Sequence, residues 1–147
     1  MMADDHRAEL PRRYRIFLSH SGEDNFIVER VIKPGVVGSG ADVFVDIVEI
    51  QYGDDFHGRI LDELSACDEL LVLCTRSALK RPWIFAEVGA TLVRGKRVVS
   101  VVYGPTNAEL QELGILSLLG PNNLLKLDDF DAYVAQLTTR VTEHLHA

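Results

Sequence analysis

Apolar residues in this chain fall into two rhythms that take turns. Tyr14-Arg15-Ile16-Phe17-Leu18, Asp42-Val43-Phe44-Val45, Leu70-Leu71-Val72-Leu73-Cys74, Arg97-Val98-Val99-Ser100-Val101-Val102 and 123–127 are short runs rich in β-branched and aromatic residues, and they read as strands. Between them, apolar positions recur at helical spacing. Phe26, Ile27, Val31 and Ile32 mark a helix that is expected to end near Pro34-Gly35, with Gly35, Gly38 and Gly40 in the loop beyond it. Phe56, Ile60, Leu61 and Leu64 mark a second, and Ile84, Val88 and Leu92 a third that opens at Pro82, where a missing N–H is tolerated. A weaker helix is expected from Asn107 to about Leu118. The last carries Phe130, Val134, Leu137, Val141 and Leu145 behind the capping pair Asp128-Asp129.

Strands alternating with helices predict an α/β domain. Parallel strands need crossover connections, and helices supply them, so a five-stranded parallel sheet covered on both faces is expected. The unbroken run Leu70–Cys74 suits a strand buried on both sides. At 147 residues the class points to one flavodoxin-like domain with strand order 2-1-3-4-5. Residues 1–13 read as a flexible, polar lead-in and 14–147 as the domain. The connection Ile47–Asp55, with Gly53 as its flexible point, is long for a structureless link.

Composition narrows the function. A formal charge of −7 removes the electrostatic basis for general nucleic-acid binding. No apolar run approaches the roughly 20 residues of a membrane span, and 1–13 has no apolar signal segment, so a cytoplasmic protein without membrane attachment is expected. Cys67 and Cys74 sit in apolar surroundings without C-x-x-C spacing and read as buried, reduced thiols. His144 and His146 have no other metal ligands near them in sequence; no metal and no cofactor are expected.

In open α/β sheets ligands bind beyond the carboxyl ends of the strands, where the strand order reverses. That places Ser19-His20-Ser21 after strand one and Thr75-Arg76-Ser77 after strand three at the crevice, with Asp46 next to them and the helix of Trp83 and Glu87 starting from the same rim. Trp83 and Glu87, four apart, share a helix face distinct from that of Ile84 and Val88. Each residue also has a plain structural reading. Glu87 could be a solvated first-turn acid favoured by the helix dipole, Trp83 a packing residue, His20-Ser21 turn and cap, Asp46 a loop cap and Arg76 a surface charge.

No G-x-G-x-x-G and no G-x-x-x-x-G-K-[ST] is present, which sets aside dinucleotide-fold and P-loop readings. Strand one ends in Ser-His-Ser and strand three in Thr-Arg-Ser, so the acidic pair and phosphoacceptor of a response-regulator receiver are missing. Three blocks together resemble the Toll/interleukin-receptor (TIR) domain family: Phe17–Asp24 at the end of strand one, Val43–Asp46 with Gly53 and Ile60 behind it, and Leu71–Thr75 followed by the W-x-x-x-E pattern at Trp83–Glu87. The similarity spans roughly Tyr14 to Tyr103.

The resemblance implies a bacterial, single-domain, NAD-cleaving type. Glu87 matches the family's catalytic glutamate, and Trp83, His20, Ser21, Asp46 and Phe56 fall at positions lining its substrate pocket. It implies an NAD glycohydrolase or cyclase that releases nicotinamide and gives ADP-ribose or a cyclic isomer, with NAD as substrate, as in antiphage signal producers. It also implies self-association through the Ile47–Asp55 loop and an effector protein that responds to the product. Departures are Arg81-Pro82, where members often carry a small hydroxyl residue, and the lack of a proline beside Gly53, which argues against an animal-type adaptor. The alternatives are a non-catalytic TIR interaction module and a nucleoside deoxyribosyltransferase-like N-glycosidic enzyme.

Overall fold

The computed structural model describes residues 12–45, 62–81, 84, 87–89, 91, 94–114 and 124–146. Its centre is one sheet of parallel strands, β1 (Arg15–Ser19), β2 (Asp42–Val45), β3 (Glu69–Cys74), β4 (Arg97–Val102) and β5 (Leu124–Lys126), in the order β2-β1-β3-β4-β5. This is the flavodoxin-like α/β arrangement expected from the alternation of elements. β2 and β4 have the boundaries expected from their residues, whereas β1 is shifted by one residue at each end, to Arg15–Ser19, and β3 begins one residue early, at Glu69.

Because successive side chains on a strand point to opposite faces, each central strand feeds two cores. Ile16, Leu18, Leu71, Leu73, Val99 and Val101 face one side and pack against Val28, Ile32, Phe130 and Leu137. Phe17, Leu70, Val72 and Val98 face the other and meet Leu64, Ile84, Val88 and Leu110.

The connection from β1 to β2 departs from expectation. Helical conformation persists from Gly22 to Gly38, through a 3-10 turn (Gly22–Asp24), an α turn (Asn25–Ile27), a π turn (Val28–Ile32) and a final α segment (Lys33–Gly38). Pro34 therefore does not end the helix. The wide π turn just before it spaces the carbonyls more loosely, which gives the proline ring room that a regular α turn lacks. Gly35, expected in a loop, instead marks a close helix crossing: a Cβ there would lie 2.7 Å from Phe130 Cε1 and 3.1 Å from Val134 Cγ2. The chain turns out of the helix at Gly40, whose φ of 95° suits glycine. The buried stripe is Val28, Ile32 and Val36, whereas Phe26 is 70% exposed and packs under the Arg30 guanidinium.

The last helix (Phe130–Leu145) buries Phe130, Tyr133, Leu137 and Val141; Val134 is only partly buried and Leu145 is exposed. Tyr133 turns inward because a carboxylate waits for it. Glu69, at the amino end of β3, is fully buried and accepts hydrogen bonds from Tyr14 Oη at 2.9 Å and from Tyr133 Oη. Arg140 Nη2 lies 3.0 Å from its Oε1. Burial, and then the Glu69 charge, push both phenols well above their ordinary range. Nearby, Arg12 grips Asp68 through two bonds of 2.7 and 2.8 Å, and His144 Nε2 donates to the Arg12 carbonyl at 2.8 Å.

Candidate functional site at the carboxyl end of β1

Ser19 closes β1 on the face shared with Phe17, and register places it beside Val72 of β3, which in turn lies beside Ser100 of β4. Over this row of side chains runs the helix whose described positions are 84, 87–89 and 91. Its buried residues Ile84, Glu87, Val88 and Thr91 fall at i, i+3, i+4 and i+7, a single inward stripe. Glu87 thus belongs to the same face as Ile84 and Val88, not to a separate one. It is only 1% exposed, so the plain reading of a solvated first-turn acid does not hold.

A carboxylate at this depth needs hydrogen-bond donors to offset its lost hydration. Ser19 Oγ supplies one, donating to Glu87 Oε1 at 3.3 Å. Behind the carboxylate, Thr91 Oγ1 donates to the Glu87 carbonyl at 2.7 Å and ties down the next turn. The site therefore joins the last residue of the first strand to an acid in the buried stripe of this helix. It lies at the point where the sheet order reverses between β1 and β3, the position where such folds bind ligands.

The loop after β1 is fastened from several sides. His20 is 7% exposed, and its Nε2 donates to Asn25 Oδ1 at 2.7 Å. His20 Nδ1 and Ser21 Oγ are buried without a hydrogen-bond partner among the described residues. Ser21 stands at the N-cap position with an extended backbone, yet its side chain makes no capping bond, so it is not the helix cap its sequence context suggests. Across the crevice, Thr75 Oγ1 accepts from the Ala78 N–H at 3.1 Å, capping the short helix Arg76–Leu79, and donates to Asp24 Oδ2 at 2.5 Å. Ser77 Oγ donates to Glu23 Oε2 at 2.5 Å. Two hydroxyls after β3 thus hold two carboxylates after β1.

Arg76 keeps its plain reading. It is exposed and paired with Glu109 through Nε and Nη2 at 3.1 and 2.9 Å. Of the candidates named from sequence, the structure places Glu87, His20 and Ser21 at this end of the sheet; Trp83, Asp46 and Phe56 lie outside the described residues. No hydrogen bond joins His20 or Ser21 to Glu87 among the described residues. Sequence reasoning missed Asn25 and the pairing of Thr75 with Asp24, which no short-range pattern signals. The i, i+3, i+4, i+7 spacing of Ile84, Glu87, Val88 and Thr91 does signal the inward Glu87. Among the described residues no group of His, Cys, Asp and Glu could hold a metal ion, and Cys67 and Cys74 are free and buried.

A cavity of about 570 Å³ opens elsewhere, at the carboxyl ends of β4 and β5 between Tyr103, Pro105, Leu110 and Leu124. None of Ser19, His20, Ser21 and Glu87 lines it. Its walls are mainly apolar, with Lys126 and Asp128 at its edge, and the buried Glu87 carboxylate is at the β1 end.

Comparison with solved structures finds the same fold in a TIR domain of the Toll-related receptor TRR-2 from Hydra magnipapillata, with a TM-score of 0.64 and 15% identity over 90% of this chain and 98% of that one. The TIR domains of the activated Roq1 resistosome match with a TM-score of 0.53 and 17% identity, over 90% of this chain and 84% of that one. A CMP N-glycosidase of Clostridium botulinum, BcmB, matches at 0.55 and 14%, over 83% of this chain and 98% of that one. At these identities the likeness establishes the fold. Two deoxyguanosinetriphosphate triphosphohydrolases of Klebsiella pneumoniae are 28% identical over 126 residues; the match takes in 84% of this chain but spans about a fifth of their length, 22%. The TIR domain family model matches residues 16–138, which takes in all five strands, the β1 loop and the helix of Glu87, apart from Arg15 at the start of β1. The chain belongs to the TIR domain family.

Proposed function

We propose that this TIR domain cleaves the nicotinamide–ribose bond of NAD, with Glu87 as the catalytic carboxylate. The observation that carries this reading is the placement of Glu87: buried in the inward stripe of its helix, bonded to the last residue of β1, at the crevice where the strand order reverses. The chemistry fits one carboxylate. Nicotinamide leaves a cationic precursor as a neutral ring, so its departure needs no general acid. What must be stabilised is the oxocarbenium-like ribose, and a fixed anion in a low-dielectric site does this without reorganising. Water, or another atom of the same substrate, then bonds to the anomeric carbon, giving ADP-ribose or a cyclic isomer.

A ribose can reach a carboxylate that is 1% exposed only after covering groups move. Turnover by the isolated chain is therefore gated, and self-association through the Ile47–Asp55 loop is the proposed trigger for opening. The fold likeness to a protein named a CMP N-glycosidase supports N-glycosidic cleavage as the reaction type and makes CMP the control substrate. Among the described residues no helix is long and apolar enough to cross a membrane.

The test is incubation of concentrated protein with NAD and chromatographic analysis of products. Nicotinamide release by the wild type, lost in Glu87→Gln with an unchanged circular dichroism spectrum, is expected. Intact NAD with CMP consumed moves the assignment to another N-glycoside. Both substrates left intact at high protein concentration would favour a non-catalytic interaction module.

A further inference from the structure

His20 is the one aromatic base at the carboxyl end of β1 among the described residues, and its two ring nitrogens have unequal surroundings. Nε2 lies 2.7 Å from Asn25 Oδ1, an atom that can only accept, so the bond requires the proton on Nε2. A neutral imidazole carries one N–H. With it spent on Asn25, Nδ1 is left as a bare lone pair, and that atom is buried with no partner among the described residues. An unpaired acceptor in a buried ring costs free energy in the ligand-free protein and regains it when a donor arrives. Beside it in the chain, Ser21 Oγ is also buried with no partner among the described residues.

Asn25 is itself held in place. It follows Asp24 directly, and Asp24 takes a 2.5 Å hydrogen bond from Thr75, the residue that also caps Arg76–Leu79. The bond pins the start of the first helix to the far side of the crevice. The bond restrains the backbone that carries the carboxamide to the imidazole, which is what a residue setting a tautomer needs.

We propose that Asn25 is a positioning residue of this site: it fixes His20 in the Nε2–H tautomer and so presents Nδ1 as the acceptor for a hydroxyl or amide hydrogen of the substrate. The assignment rests on the NAD reading for the identity of that substrate, whose donors include the ribose hydroxyls and the carboxamide NH2. It does not rest on that reading for the tautomer. Asn25 never touches the reacting atoms; it acts through His20, and its loss weakens substrate binding more than the chemical step.

The experiment is long-range proton–nitrogen correlation NMR of His20 in the full chain at pH 8, where an ordinary imidazole is neutral, on wild type and Asn25→Leu, with NAD titrated into each. Steady-state kinetics on both proteins run beside it. Expected are a bare Nδ1 in the wild type, an Nδ1 resonance that moves on adding NAD, a mixed tautomer in Asn25→Leu, and a KM raised about fivefold to tenfold with kcat changed less than about twofold. An Nδ1–H tautomer in the wild type overturns the proposal whether or not the variant folds, and so does an Nδ1 resonance that NAD leaves unmoved in a protein that turns NAD over. A wild type that shows the Nε2–H tautomer, loses it in Asn25→Leu and does not cleave NAD supports the role of Asn25 and overturns only the NAD reading.

Discussion

Ser19 Oγ donates to Glu87 Oε1 at 3.3 Å, a bond between residues 68 positions apart that ties the end of the first strand to the buried acid. Replacing Ser19 by Ala removes a donor from a carboxylate without changing its charge. One moderately long hydrogen bond to an ionised group is worth about 1 kcal/mol, so kcat/KM for NAD should fall about fivefold in Ser19→Ala, against complete loss in Glu87→Gln. Product assays on both variants, at equal concentrations of folded protein, check the ranking.

The Glu69 cluster lies at the opposite end of the sheet and should separate stability from activity. Tyr133→Phe takes one donor from a fully buried carboxylate and is expected to cost about 1–3 kcal/mol. Arg140→Leu removes a cation held 3.0 Å from it and should cost about 1.5–3 kcal/mol, because the buried charge then keeps only its tyrosine donors and the half-exposed Arg97, 3.8 Å away. Urea unfolding measures both. Turnover well below the unfolding midpoint should match the wild type.

Two glycines of the first helix should answer a change to Ala with opposite signs. At Gly35 the new methyl meets the Phe130 ring at 2.7 Å inside a packed helix crossing, and overpacking outweighs the gain in helix propensity, for a net loss of about 1 kcal/mol. At Gly38 nothing lies within 4 Å, the φ is not positive and the site is exposed, so Gly38→Ala should gain about 0.5 kcal/mol. Thermal melts of the two variants side by side decide the pair.

The Cys74 thiol is pushed up to about 11 by burial, from an ordinary 9.0. The folded state therefore favours the protonated thiol. Its contribution to stability is fully present below pH 9 and is lost as pH rises from about 9 through 11, because only the unfolded chain ionises freely in that window. Iodoacetamide at pH 8 should leave Cys74 unmodified in the native protein and label it rapidly in urea, as mass spectrometry would show. A Cys74→Ala variant should lose less stability than the wild type between pH 9 and 11.

Much of the fold was legible because it rests on local periodicity. The apolar run Leu70–Cys74 demanded a central strand, and alternation of strands and helices demanded a parallel sheet. Where the reading failed, a contact distant in sequence had overridden a local preference. Pro34 and Gly35 look like a helix stop, yet a π turn lets the helix run through, and Gly35 is where it crosses the last helix. Tyr133 is absent from the apolar stripe expected for the last helix, yet its hydroxyl reaches Glu69, far away in sequence, and the ring is buried.

The candidate site divides in the same way. The residues by themselves determined that a W-x-x-x-E pattern follows the third strand, that Ser-His-Ser follows the first, and that both belong at one rim of the sheet. These follow from residue order and from the rule that strand ends carry ligands. Only the tertiary structure decided that Glu87 is buried instead of solvated, that Ser19 is its donor, and that Asn25 and Thr75 hold the β1 loop in place. Burial and hydrogen-bond partnership are set by what packs above a residue. In a doubly covered sheet those neighbours come from helices and strands dozens of positions away, beyond the reach of any local pattern.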